Sequence, residues 1–244
     1  VVNVPRQLPI HEGLRFAHHR EALLKKGRDH FVSQGLSLET DILVAHNAHD
    51  GILEGARRNS ADLMVMGWKG FTDTSDRIFG EVADQVIRNS PCDLILLKLA
   101  SSDIPRTCLF PTAGGSNSLL IADLLRVIAP AFDMTVTVCH VVSPGASTED
   151  RIDAERWIDK SIDIMGPEVK FEKLIIEGDR PAGSIARASK DYDLVALGAA
   201  KEPFIEQVLF GEIPEKVARY SPASVLVAKQ YEGPVHSFFK RVLG

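Results

Sequence analysis

The sequence predicts two doubly wound α/β domains with parallel sheets, arranged in tandem. Residues 79–98, FGEVADQVIRNSPCDLILLK, align without a gap to residues 210–229, FGEIPEKVARYSPASVLVAK, and 8 of the 20 positions are identical. The same offset of 131 residues relates Gly67 to Gly198. A period that long suits two copies of a domain, not a solenoid. Between the repeated segments, short β-branched apolar runs alternate with stretches of helical apolar spacing, the pattern of parallel strands joined by crossover helices.

In the second copy, residues 107–229, each element follows in order. RTCLFPTA (106–113) is an apolar strand leading into the loop GGSNS, and SLLIADLLRVIAPAF (118–132) has helical spacing. MTVTVCHVV (134–142) is a β-branched buried strand. TEDRIDAERWIDKSIDIM (148–165) is an amphipathic helix with Ile152, Trp157, Ile158 and Ile162 on its apolar face. VKFEKLIIEG (169–178) alternates like a strand near a sheet edge. PAGSIARASK (181–190) is a short helix, YDLVALG (192–198) a buried strand, PEKVARY (214–220) the end of a helix, and SVLVAK (224–229) the last strand.

The first copy, residues 1–98, repeats this plan without its beginning. VVNV is the tail of a second strand, residues 12–35 the long helix, and 37–46 the third strand. Residues 51–60 form the short helix, 61–67 the fourth strand, and 84–98 the last helix and strand. No counterpart of the initial strand and helix is present, so the chain reads as a piece of something longer. Residues 99–106, polar with a proline, are the linker. The tail 230–244 falls outside the repeat and is an amphipathic stretch carrying Val235, Phe238, Phe239 and Val242, read first as a docking segment packed on the body and second as a weak interfacial contact.

Composition excludes several classes. A net charge of −5, from 28 basic and 33 acidic residues, offers no electrostatic reason for nucleic acid or an anionic membrane surface. No apolar run approaches the roughly 18 residues of a membrane span, and no secretory leader is visible; the expectation is a cytoplasmic protein. Cys92, Cys108 and Cys139 lack metal or redox spacing and read as buried reduced thiols. His18 and His19 with Glu21 make too few ligands for a metal site. His46 and His49 flank a loop and read as exposed. Asp191 and Asp193 form a strand entry and not a catalytic pair, and Ser116 lacks a nucleophile's strand–turn–helix elbow. No catalytic triad can be assembled, so the reading is not an enzyme.

The segment that carries chemistry joins the fourth strand to the fourth helix. Gly67, Gly70 and Gly80 would let backbone N–H groups surround a phosphate at a helix N-terminus, with Met66, Glu81 and Val82 beside them. Gly198, Gly211 and Glu212 are the second-copy equivalents. Here the chain resembles the universal stress protein family in its tandem form, through ADLMVMGWKG, FGEVADQVIRNSPCDLILLK and DYDLVALG with FGEIPEKVARYSPASVLVAK. The resemblance implies Rossmann-like domains and ATP or AMP as the ligand class. Nucleotide-binding members carry Gly-x2-Gly-x9-Gly-(Ser/Thr) here and a Pro-x-Asp after strand one. This chain departs from both motifs: Glu81 and Glu212 replace the hydroxyl residue, Lys201 replaces the middle glycine, and Ala113 stands where the aspartate belongs. A carboxylate in the first turn suits the helix dipole and repels a bound triphosphate. Glu81 and Glu212 are therefore either built-in anions in the phosphate's place or ordinary solvated first-turn residues, and both readings oppose tight ATP binding.

The opening VVNVPRQLPIHEGL and the tail also resemble the cytosolic tandems behind the membrane part of amino-acid permeases of the APC superfamily. The resemblance implies a location on the cytosolic face of a membrane, with transporter spans upstream. The expected function is a non-enzymatic regulatory module with degenerate nucleotide sites; the alternatives are a nucleotide-sensing transporter domain and a slow ATPase. Pairing of the two copies through residues 93–98 and 224–229 is expected, and a homodimer is a further candidate assembly. Residues 1–98 alone should not close one sheet.

Overall fold

The computed structural model describes residues 1–68, 79–200, 210–231 and 233, without the side chains of Ile10 and residues 14–20. Gly70, Lys201 and residues 234–244 of the tail lie outside the described residues. Two compact units organise the chain, residues 1–61 with 81–91, and residues 62–80 with 92–244.

In the first unit, β1 (Val2–Asn3) runs parallel to β2 (Val44–Ala45), with Val2 opposite Val44. Backbone bonds from Val2 to Leu43 and from Val4 to Ala45 extend the pairing at 2.7 and 2.9 Å. The strand expected over 37–46 is confined to Val44–Ala45, because a strand persists only where a ladder partner exists. A 3-10 turn (Ile10–Gly13) leads into α1 (Leu14–Ser33). Gly13 is required there, since a Cβ would sit 2.2 Å from the Val44 side chain. Helices α2 (Ala48–Arg58) and α3 (Glu81–Asn89) pack on each other, and Val4, Leu53, Val86 and Ile87 are buried.

The second unit holds a seven-stranded sheet. Its strands are β3 (Leu63–Gly67), β4 (Asp93–Lys98), β5 (Thr107–Pro111), β6 (Thr135–Val142), β7 (Lys170–Glu177), β8 (Leu194–Gly198) and β9 (Ser224–Lys229). The order is β3-β4-β9-β8-β5-β6-β7, parallel throughout except between β4 and β9. Helices α4 (Ser116–Ala131) and α5 (Thr148–Met165) pair with each other, as do α6 (Pro181–Ala188) and α7 (Glu212–Tyr220). Phe110, Ile121, Leu125, Val136, Val138 and Ile158 form the apolar centre. A capping box starts α5: Ser147 Oγ accepts from the Asp150 N–H at 3.1 Å, and the Asp150 carboxylate accepts from the Ser147 N–H at 3.0 Å.

Two expectations about the strands are met. Residues 93–98 and 224–229 pair directly, antiparallel, with Leu96 opposite Val227. The strands within 1–98 do not close one sheet: β1 and β2 form a pair of their own, while β3 and β4 belong to the larger sheet. The three cysteines are buried, and burial pushes the Cys108 thiol up to about 12.

Candidate functional site

The crevice of a doubly wound sheet lies beyond the strand C-termini, where the chain reverses its winding. In this sheet the reversal falls between β5 and β8. Strand β8 ends at Gly198, and the chain continues through Ala199, whose N–H reaches the Ala228 carbonyl at 2.8 Å. Ala200 N–H donates to the Phe210 carbonyl at 2.6 Å, so the connection returns beside its own start. Gly211 then opens α7 with φ 97°, and Gly80 opens α3 with φ 96°. Both values lie where a side chain is strained, so the repeated glycine answers a backbone requirement in each copy.

The glycines of the second copy also admit close approach. A Cβ on Gly198 would lie 2.6 Å from the Asn117 backbone carbon and 2.7 Å from the Ser118 nitrogen. A Cβ on Gly211 would lie 2.3 Å from the Ala200 side chain. At both positions the chain packs too closely to leave room for a side chain. Gly67, the counterpart of Gly198, has nothing within 4 Å of its Cβ direction among the described residues. Met66 is half-buried in β3, opposite Leu96. Glu81 and Val82 are exposed in the first turn of α3.

Glu212 is exposed and pairs with Lys216 one turn along α7. The Lys216 hydrogen bond and charge hold its carboxyl below the usual range. The carboxylate that closes the loop is a different one: Glu215 accepts from the Phe210 N–H at 3.2 Å. Its counterpart, Asp84, is buried in α3.

Across the crevice, the loop after β5 is held by residues that the sequence reading did not single out. Thr112 Oγ1 lies 2.9 Å from Ser161 Oγ and accepts from the Gly114 N–H at 3.2 Å. The Thr112 carbonyl lies 2.6 Å from His140 Nδ1. Gly114, at φ 71°, sits beneath the Trp157 ring, where a Cβ would be 2.0 Å from the indole. Asn117 links two strand ends: its amide donates to the Ala199 carbonyl at 2.7 Å and its oxygen accepts from the Gln230 N–H at 2.8 Å. Ser116 Oγ is buried and has no hydrogen-bond partner among the described residues. Ala113, in the aspartate's place, is exposed. The TAGGSN run is the local signal for Thr112 and Asn117; Trp157 is marked only as part of its helix's apolar face, and Ser161 only by its i, i+4 spacing from Trp157.

Beside this loop, a cleft of about 270 Å³ opens at the end of β6, lined by His140, Ser143, Ala146, Asp150 and Asp153 among others. Its two carboxylates make it hostile to phosphate. The histidines flanking the first-copy loop are both engaged: His46 Nδ1 lies 3.1 Å from the Val4 carbonyl, and His49 pairs with Asp50 at 3.3 Å. Among the described residues, no group of three His, Cys, Asp or Glu could hold a metal ion.

The model of the universal stress protein family matches residues 9–98 and again residues 105–229. The chain belongs to the universal stress protein family. Its relatives include the Na(+)/H(+) antiporter NhaS5 of Synechocystis, 25% identical over 181 residues, covering 70% of this chain and 25% of the antiporter. Universal stress protein MJ0531 of Methanocaldococcus jannaschii is 35% identical over 75 residues, 31% of this chain and 44% of that protein. Universal stress protein Rv2623 of Mycobacterium tuberculosis is 24% identical over 192 residues, 70% of this chain and 62% of that protein. The chain thus spans between a quarter and three fifths of the length of these curated relatives. A universal stress protein structure from Archaeoglobus fulgidus superposes with TM-score 0.68 at 16% identity, covering 95% of this chain and 84% of that one. The fold is therefore the tandem universal stress fold, and no helix among the described residues is long and apolar enough to cross a membrane.

Proposed function

We propose that this chain is a non-catalytic regulatory module of a membrane transporter, acting through its protein surfaces and holding no nucleoside triphosphate in its second copy. The carrying observation is the packing at Gly198 and Gly211: a Cβ on either would lie 2.3 to 2.7 Å from protein atoms, which supports a cradle taken up by the chain itself. Ala113 supplies no carboxylate for a ribose, and the adjoining cleft presents Asp150 and Asp153. Support for the transporter comes from the similarity to the Na(+)/H(+) antiporter, in which the matched part is a quarter of the length. The solute class then moves from amino acids, which the permease resemblance suggested, to cations.

A second reading, a nucleotide sensor, is favoured by one observation. Gly67 has no contact to its Cβ direction among the described residues and Gly80 keeps the helix-opening conformation, which supports a first copy that retains parts of a cradle. Calorimetric titration with ATP and AMP separates the two. The proposal expects no saturable heat up to millimolar nucleotide; micromolar binding abolished by Gly198→Val would overturn it. For the transporter, deleting this region from the native polypeptide should alter cation flux across the membrane. Unaltered flux, with the chain absent from membrane fractions, would remove that part.

A further inference from the structure

The residues after β9 lie outside the repeat, and the structure fixes where they set out. The Gln230 N–H donates to Asn117 Oδ1 at 2.8 Å, and the Tyr231 N–H donates to Asp93 Oδ1 at 2.7 Å. In the ladders Ala228 faces Gly198, Leu109 faces Val195 and Pro111 faces Cys139. Gln230 therefore stands level with Val142, three steps across the order β9-β8-β5-β6. Neighbouring strands lie about 4.8 Å apart, so those steps span about 14 Å. The cleft at the end of β6 opens at that level, with Val141, Val142 and Ala146 as its apolar wall. At about 270 Å³ it is smaller than the roughly 300–1,000 Å³ of small-molecule sites and suits one or two side chains. Its histidine and carboxylates call for a donor. The Thr112 carbonyl can only accept, so neutral His140 carries its proton on Nδ1 and leaves Nε2 as an acceptor. Asp150 commits Oδ2 to Ser147 and Asp153 commits Oδ1 to Arg156, so each has a second oxygen to offer. Ile152, expected on the apolar face of α5, is 52% exposed on the helix that carries both carboxylates.

We infer that this cleft is the seat of residues 238–242 of the same chain, FFKRV, with the cations of Lys240 and Arg241 against Asp150, Asp153 and His140. The phenylalanines of the segment cover Ile152 and the apolar wall. The nine residues from Tyr231 to Lys240 reach about 30 Å when extended, twice the span required. Charge selects the occupant: carboxylates that repel phosphate receive an ammonium or a guanidinium. An ion pair at a half-exposed site contributes little alone, so charge and apolar contact hold the segment jointly and releasably. A partner that draws the segment out bares the carboxylates and the apolar wall together. This inference depends neither on nucleotide binding nor on the transporter.

The test is zero-length carbodiimide crosslinking of the full chain at low micromolar concentration, followed by peptide mapping. An amide between Lys240 and Asp150 or Asp153, formed within single chains, is expected. The ion pairs Lys170–Asp133 and Lys173–Asp159 supply internal positive controls. Amide exchange gives a second readout: Lys240→Glu with Arg241→Glu should speed exchange over residues 141–147 about threefold or more. Asp153→Lys should do the same, and combining it with the two tail reversals should restore the slow exchange. The melting temperature should stay within a few degrees in each variant. The inference is overturned if Lys240 joins only acids elsewhere, or joins none while the two controls form. It is also overturned if the reversals leave exchange unchanged or if the combination fails to restore it. Crosslinks found only between chains and growing with concentration would assign the seat to a second copy and overturn it too.

Discussion

Leu96 pairs with Val227, the residue 131 positions after it, so the local twofold relating β4 to β9 passes between them. Phe79 and Phe210, also equivalent, meet edge to face with ring centroids 5.3 Å apart. Self-equivalent contacts of this kind are the signature of an isologous interface, here built within one chain. Both pairing residues are buried to 1% exposure. Truncating Leu96 to Ala should cost about 2–5 kcal/mol. A double-mutant cycle with Val227→Ala, measured by urea denaturation, should show coupling of about 0.5 kcal/mol or more; simple additivity would contradict the pairing.

Gly67 and Gly198 occupy the same place in the repeat with opposite surroundings. Gly198→Ala forces a methyl group into the backbone of Asn117 and Ser118 and should destabilise by about 1–3 kcal/mol. Gly67→Ala should stay within about 0.5 kcal/mol of the parent. Thermal melts of the two variants measure the asymmetry.

Hydrogen bonds from the Arg106 and Thr107 N–H groups and the Thr107 hydroxyl hold the Asp193 carboxyl below its ordinary 3.8. A carboxyl held lower in the folded chain adds stability that is full above the unfolded value and fades as the pH falls through the folded one. Asp193→Asn should therefore lower stability by about 1 kcal/mol at pH 7, and the gap to the parent should close toward pH 3. Urea midpoints at the two pH values check this.

Burial raises the Cys108 and Cys139 thiols, the first to about 12. Thiolate is the reactive form, so alkylation at pH 8 should leave these two unmodified in the folded chain and label all three cysteines in denaturant. Mass spectrometry after labelling gives the count.

Much of this architecture is legible in the residues themselves. The constant offset marks the duplication, and apolar strands at the end of each copy call for a partner, which the β4–β9 pairing supplies. Helix α5 is found at its expected bounds because Ser147 and Asp150 define its start locally. Contacts that depend on distant segments are not legible in this way. That Trp157 lies over Gly114, or that Asn117 bridges Ala199 to Gln230, follows only once α4 and α5 are docked on the sheet. The third strand of the first copy is predicted over ten residues from its pattern and forms over two, because its length is set by a neighbour. Of the candidate glycines, the sequence marks where backbone approaches closely but not what approaches. At Gly198 it is the protein itself.

Lys98, the last residue of β4, donates to the carbonyls of Ala218 and Ser221 at 3.0 and 3.1 Å and so closes the C-terminal end of α7, in the other copy. A strand of the first copy thus finishes a helix of the second. Neither copy can accumulate changes there alone: an altered last turn in α7 leaves a half-buried cation without acceptors, and an altered Lys98 leaves two carbonyls without a donor. The duplication at this seam is one object under a single constraint.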